Sequence, residues 1–303
     1  MTTVLITGGT GLVGKELTRQ LKAKGYAVIH LSRTTNKNTE TLTYYWDYTK
    51  DLIEPEAIEK ADYIIHLAGE NVSGKRWTTN RKKQIIDSRV RTAELLLKII
   101  KEKNKPLKAF ITASGSNYYG TITCDKIFSE TDVAATDFLG ETCKQWEAAA
   151  DHFKNAGIRT VKIRTGVVLT RHNGALEKIA LPVKLGIGSA LGSGKQYIPW
   201  IHIDDLCSIY IKAIEDEKMQ GAYNAVAPQH VTNKDFGRTI AEVLKKPFWF
   251  PAIPAFIIKL VFGEMGNIVL KGSRLSSEKI KNAGYQFKFT SLESALRNLL
   301  IEN

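Results

Sequence analysis

A doubly wound parallel α/β sheet with a smaller C-terminal region is the fold this chain of 303 residues predicts, on two observations. Short β-branched runs alternate with helical stretches through the first half, as in a parallel sheet. The first run leads directly into glycines spaced Gly8-x-x-Gly11-x-x-Gly14, which open an amphipathic stretch. Glycines between a strand and a helix mark a Rossmann-type dinucleotide turn.

The strand candidates are residues 3–7, 27–32, 63–67, 109–113 and 160–165, with helical stretches near 12–24, 78–103 and 139–156. Ligands of such sheets bind at the carboxyl ends of the strands. After residue 165 the texture changes. "LGIGSALGSGKQ" (185–196) is too glycine-rich and irregular for an element and reads as a ligand-facing loop. "YIPWIHIDDL" runs into an apolar helix from about residue 206, and the chain ends on the amphipathic "SLESALRNLL". The expected organisation is an NAD(P)-binding domain over 1–165, with core elements continuing to about 246. A mixed cleft region over 166–246 and a cap over 247–303 complete it.

Composition narrows the functional classes. Net charge is +12, from 43 basic and 31 acidic residues, which suits an anionic ligand. The lysines are scattered, however, and only "RKK" (81–83) clusters, so a solvated surface explains most of the excess. No aromatic-plus-basic ladder of the kind that stacks bases is present, and nucleic acid is not an expected partner. Cys124, Cys143 and Cys207 fit neither a disulfide framework nor a zinc site, so no metal is expected. The strand "TVLITGG" at the N-terminus leaves no room for a leader peptide. Lys259, Gly263 and Glu264 interrupt "PAIPAFIIKLVFGEMGNIVL", which reads as a packed helix pair. A cytoplasmic protein without a membrane partner is expected.

Each glycine of the fingerprint has a task. Gly8 allows the tight turn, Gly11 admits a pyrophosphate to the backbone N–H groups, and Gly14 lets helix and strand pack closely. Thr10, Leu12 and Val13 belong to the same expected cofactor site, at a helix N-terminus whose partial positive charge favours phosphate. The second strand ends in Ser32 and Arg33, where an NAD site usually carries an acid for the ribose hydroxyls. The planar fork of Arg33 suits a 2′-phosphate, so NADP(H) is the expected cofactor and NAD the weaker one.

With these residues in view, the chain resembles the extended short-chain dehydrogenase/reductase superfamily. Within it, the chain is similar to an atypical group of epimerase family proteins, with resemblance to nucleotide-sugar epimerases and a C-terminal domain of unassigned function. The resemblance spans nearly the whole chain. It rests on "ITGGTGLVG", "HLAGENVSGKRWTTNRKKQIIDSRVRT", "SNYYG", "DFLGETCKQWEAAA", "KIRTGVVL", "WIHIDDL" and "GAYNAVAP". It implies that Asp47 meets the adenine amino group and that Leu67, Ala68 and Gly69 pass the nicotinamide ribose. It also implies that Asn71 and Arg89 flank the cofactor. Arg76 and Trp77 fall in a loop over the site, and Trp200 and His202 in a motif lining the substrate cleft. A packing role for Trp77 and a hydrogen-bonded structural role for His202 stand beside those readings.

The departures bear most on function. The superfamily carries Tyr-x-x-x-Lys on the helix near 139–156, one turn apart, so that the ammonium lowers the pKa of a proton-shuttling phenol. The matching positions here are Leu139 and Cys143. Cys143 then acts as a small apolar filler beside the nicotinamide ribose. Lys144 is one residue off, turned roughly 100° toward solvent. The superfamily's substrate-binding Ser/Thr falls on Gly115 here, and the adjacent Ser114 agrees with the atypical group's own pattern. Tyr118 lies in the loop after the fourth strand candidate, where a packed aromatic is the other reading. Ser114 and Tyr118 are the candidate catalytic groups.

Two functions of different classes follow from the sequence. One is an NADP(H)-dependent reductase or epimerase acting on a small or nucleotide-linked carbonyl or sugar. The other is an NADP(H)-binding regulatory or scaffold protein with little turnover. Whether the chain turns over at all, its substrate and its oligomeric state are not legible in the sequence.

Overall fold

The computed structural model describes residues 1–34 and 40–301. Its first half runs β1 (Thr3–Thr7), α1 (Leu12–Ala23), β2 (Ala27–Ser32), β3 (Thr43–Asp47), β4 (Leu52–Ile53), α2 (Pro55–Lys60), β5 (Tyr63–His66), α3 (Thr79–Glu102) and β6 (Ala109–Gly115). The middle runs β7 (Ile127–Phe128), α4 (Phe138–Asn155), β8 (Thr160–Thr165), β9 (Val167–Leu169), α5 (Ala175–Lys184), β10 (Trp200–His202), α6 (Ile203–Glu215) and β11 (Gly221–Ala225). The last part holds α7 (Asn233–Leu244), α8 (Ala255–Phe262), α9 (Asn267–Leu270), β12 (Arg274–Leu275), α10 (Glu278–Asn282) and α11 (Leu292–Leu300).

Eight strands form the main sheet in the order β11-β8-β6-β5-β1-β2-β3-β4. Every pairing is parallel except that of β4 with β3. The chain winds outward from β1 through β2 to β3, then returns to lay β5 on the other side of β1. The strand order thus reverses between β1 and β5, and ligands of such sheets bind at the carboxyl edge of that switch point.

Residue alternation places the two helical layers. Val4 and Ile6 point into a core shared with α1 and α6, while Leu5 points into a core shared with α2, α3 and α4. A third core joins α5, α7 and α11 around Trp200 and Phe289. Thr78 caps α3 by accepting from Arg81 N at 3.1 Å, and Asp137 caps α4 by accepting from Gly140 N at 2.8 Å.

Strands β3 and β11 are absent from the candidates read off the sequence. β3 is an aromatic run, "TYYWD", that buries alternate residues against one layer only. β11 is "GAYNA", poor in β-formers, and is held at the sheet edge by parallel pairing with β8. Tertiary pairing overrides weak local propensity there. The stretch expected to form a packed helix pair departs from that expectation: α8 buries only Ile258, and its outer face is open.

Candidate active site

The glycine turn is built by close approach of backbone to backbone. Gly8 has a φ of 73°, and its carbonyl accepts from Gly11 N at 3.0 Å. A Cβ on Gly14 would lie 2.4 Å from that carbonyl oxygen, and one on Gly8 would lie 3.0 Å from Ala68 N. The turn is thus clamped between α1 and the end of β5. α1 follows Gly11 with no side-chain cap and no acidic residue in its first turn, so no carboxylate competes for its leading N–H groups.

Two buried histidines form the floor under this turn, and the sequence reading had singled out neither. A Cβ on Gly9 would sit 2.4 Å from the His30 ring, so the turn can rest on that ring only because residue 9 is glycine. Thr18 Oγ1 donates to Gly14 O at 2.7 Å, so the 2.9 Å contact to His30 Nε2 has the ring N–H donating. A second chain runs from Ala68 N–H to Thr7 Oγ1 (3.2 Å), on to His66 Nδ1 (2.7 Å), then from His66 Nε2 to Thr92 Oγ1 (3.2 Å) and to Ser88 O (2.8 Å). With Thr92 donating to Ser88, every member has one consistent direction only if His66 is neutral and protonated on Nε2. Burial pulls both rings down to about 4, which keeps them neutral.

The outer rim carries charge. Arg33 Nη2 lies 3.6 Å from Glu70 Oε1, while Arg81 Nη1 holds Glu70 Oε2 at 2.9 Å. Arg81 also donates to Asn71 O at 2.6 Å, and Asn71 Oδ1 accepts from Ser73 N at 2.9 Å. Asp47 ends β3 in a tight turn, accepting from Thr49 N at 2.9 Å, and hydrogen bonds from Thr49 hold its carboxyl below the usual range. Glu70, which joins the two arginines, lies directly after the Leu67–Ala68–Gly69 run and is not among the candidates read from the sequence.

The inner wall is the face of α4. Leu139 and Cys143 are both buried, and a Cβ on Gly115 would lie 3.3 Å from Cys143 Sγ. Burial pushes the Cys143 thiol up to about 11, so it is a neutral packing group. Lys144 is turned outward and pairs with Glu141 at 3.5 Å. From α3, Arg89 inserts its guanidinium beside Gly69, where a Cβ would meet it at 3.0 Å, and over the Trp146 ring at 4.9 Å. It donates to Ile85 O (2.8 Å) and Glu70 O (3.0 Å). Burial lowers its pKa to about 10, which leaves it a cation at neutral pH.

Behind this wall lies a buried polar network. Ser114 Oγ donates to Glu147 Oε1 at 2.8 Å, and Arg164 grips the same carboxylate through Nε (2.7 Å) and Nη2 (2.9 Å). Arg164 Nη1 donates to Tyr119 Oη at 2.8 Å, and Tyr119 donates onward to Asn224 Oδ1 at 2.8 Å. Tyr118 lies half-buried with its ring centre 3.4 Å from the Arg164 guanidinium carbon. Glu147 is one turn beyond Cys143, and Arg164 sits inside "KIRTGVVL". Nothing in their spacing signals that they pair.

The residues expected on the substrate side divide into two groups. Trp77 donates from Nε1 to Val72 O at 2.8 Å and packs edge-on against Phe138 with centroids 4.7 Å apart. Arg76 reaches Gly263 at the cap, where Lys82 and Glu264 also pair at 2.6 Å. Trp200 and His202 are each only 1% exposed. Trp200 donates to Gln229 O at 3.2 Å, and His202 Nδ1 caps α6 by accepting from Asp204 N at 3.1 Å. The His202 ring stacks on Phe289 at 3.8 Å. That is the geometry of a hydrogen-bonded structural histidine. The 185–196 loop is pinned to the cap, Gly192 N donating to Ile253 O at 2.8 Å and Gln196 Nε2 to Val269 O at 2.9 Å. Among the described residues, no group of three His, Cys, Asp or Glu is placed to hold a metal ion.

Comparison with known proteins places this geometry in context. Residues 4–225 match the model of the NAD dependent epimerase/dehydratase family, and residues 253–299 match a domain of unknown function, DUF1731. Epimerase family protein YfhF of Bacillus subtilis (strain 168) is 36% identical over 99% of this chain and 98% of its own. The crystal structure of human epimerase family protein SDR39U1 (isoform 2) with NADPH is 33% identical, with a TM-score of 0.87 over 98% of this chain and 99% of that one. UDP-glucose 4-epimerase of Thermotoga maritima shares the fold at 18% identity, with a TM-score of 0.80 over 99% and 98% of the two chains.

Proposed function

The chain belongs to the NAD dependent epimerase/dehydratase family, and from that premise we propose that it binds NADP(H) and acts on a small or nucleotide-linked carbonyl or sugar through an active site lacking Tyr-x-x-x-Lys. One observation carries the cofactor assignment. The uncapped, acid-free N-terminus of α1 opens behind the glycine turn, and Arg33 follows the neighbouring strand where an NAD site carries an acid. The NADPH complex of the human relative supports it.

In this proposal Gly8, Thr10, Gly11, Leu12, Val13 and Gly14 hold the pyrophosphate, and Arg33 leaves Glu70 to grip the 2′-phosphate. Asp47 accepts from the adenine amino group. Leu67, Ala68, Gly69, Asn71 and Cys143 line the passage of the nicotinamide ribose, beside the Arg89 guanidinium. Arg89 supplies positive charge where the helix has lost its lysine, but it holds its proton and cannot relay one. A bound nicotinamide would donate or accept hydride. The proton falls to Tyr118, held over Arg164 at the carboxyl end of β6. The Ser114 proton is committed to Glu147, so its oxygen is left to accept from a substrate hydroxyl. Arg76 and Trp77 close the site from the loop, and Trp200 and His202 support the cleft wall from within.

Calorimetric titration of NADPH and NADH tests the proposal. A charge-assisted hydrogen bond contributes about 1.5–3 kcal/mol, so NADPH is expected to bind roughly ten- to a hundredfold more tightly. Arg33→Ala should remove that preference. Equal affinities, unchanged in the variant, overturn the assignment. The apolar pair Leu139 and Cys143 favours a second reading, a cofactor-binding regulator with little turnover. Tight NADPH binding without cofactor oxidation across carbonyl and nucleotide-sugar substrates would establish that reading instead.

A further inference from the structure

The cap presents an apolar surface that none of the described residues covers. On and before α8, Trp249 is 68%, Phe256 69% and Leu260 76% exposed, with Phe250, Val261 and Phe262 also open to solvent. This segment is tied to the chain after α5. Phe248 packs where a Cβ on Gly188 would touch it, and Ile253 N donates to Ala190 O at 2.9 Å. A contiguous apolar patch of this kind marks an interaction surface.

Its charge identifies the partner. Residues 178–203 and 243–263 contain no aspartate or glutamate, but they carry the exposed Lys184, Lys245, Lys246 and Lys259. None of these four lysines forms an ion pair among the described residues. Glu264, just beyond the patch, is engaged by Lys82. A two-fold contact between copies would set this surface against itself and oppose lysines that outnumber the exposed Glu242 at its edge. Aromatic and aliphatic side chains rimmed by unpaired lysines instead match the interface of an anionic bilayer.

We propose that α8 and the Trp249–Phe250 corner dock the protein on an anionic lipid surface. The contact is peripheral, since no helix among the described residues is long and apolar enough to cross a membrane.

The test is flotation of the full chain with vesicles of phosphatidylcholine alone and of phosphatidylcholine with phosphatidylglycerol, alongside sedimentation velocity without lipid. The expected result is binding to the anionic vesicles only, falling as salt rises. Leu260→Asp should weaken it by at least about tenfold, with an unchanged melting temperature because residue 260 is solvated. Replacing Lys245, Lys246 and Lys259 by Gln should reduce binding to anionic vesicles by about tenfold or more. Failure to float with either vesicle, binding indifferent to Leu260→Asp, or a lipid-free dimer dissolved by Leu260→Asp overturns the proposal.

Discussion

Arg164 holds Glu147 through two parallel hydrogen bonds, Nε to Oε1 at 2.7 Å and Nη2 to Oε2 at 2.9 Å, both partners being buried. The pair links β8 to α4 and supports both Ser114 and the ring of Tyr118. Removing one partner of a buried pair leaves an uncompensated charge, so Glu147→Leu should cost about 3–5 kcal/mol in urea unfolding. The double variant Glu147→Leu, Arg164→Met should cost clearly less than the two single changes added together. Simple additivity would show that the two side chains do not act as a pair.

The contact of Gly9 with His30 makes a second expectation. Gly9→Ala drives a methyl into the His30 ring and should destabilise by about 1–3 kcal/mol, as overpacking does. In a His30→Ala background the same change should cost much less. An equal penalty in both backgrounds would mean that the strain lies in the turn itself.

Acid stability should report the histidine floor. The folded-state pKa of His30 and of His66 is about 4, below the ordinary 6.5, so the unfolded chain binds more protons between those values. Their contribution is complete above about pH 6.5 and declines as the pH falls toward 4. For the fully buried His66 it amounts to about 3 kcal/mol. His66→Gln cannot titrate and should flatten the slope of unfolding free energy against pH across that window, whatever its effect at pH 8. A slope identical to wild type would reject the assignment.

If the protein turns over, Tyr118→Phe should lower kcat by at least about tenfold, because a positioned proton donor contributes about 10²–10⁴-fold and water replaces it in part. Cofactor affinity should be unchanged. A drop in NADPH binding with kcat preserved would make Tyr118 a binding group.

Restoring the superfamily pair should be harder than the helical register suggests. Leu139→Tyr, Cys143→Lys recreates the one-turn spacing. The thiol of Cys143, however, is buried within the electrostatic reach of Arg89. An ammonium there meets a fixed guanidinium, so the double variant should be destabilised, and adding Arg89→Met should recover part of the loss. Melting temperatures of the wild type, the double variant and the triple variant check this. A double variant as stable as wild type would show that Arg89 leaves room for a lysine.

The glycine turn, the five strand candidates and the long helices were legible because each is a local pattern. The period of apolar residues and the placement of Gly8, Gly11 and Gly14 lie within a few residues of one another. So was the shared face of Leu139 and Cys143 on α4, because a helix repeats every 3.6 residues and the two fall one turn apart. The sequence by itself therefore determined the fold class and the glycine turn that opens α1. The tertiary structure alone decided which polar groups meet. Glu147 reaches Arg164 across 17 residues, Thr7 reaches His66 across 59 and Tyr119 reaches Asn224 across 105. Charge complementarity over such separations leaves no period to read, since it depends on which strands lie side by side. The open face of α8 was hidden for a related reason: an apolar run reads alike whether a neighbouring element covers it or solvent does, and only the packing of the cap distinguishes the two.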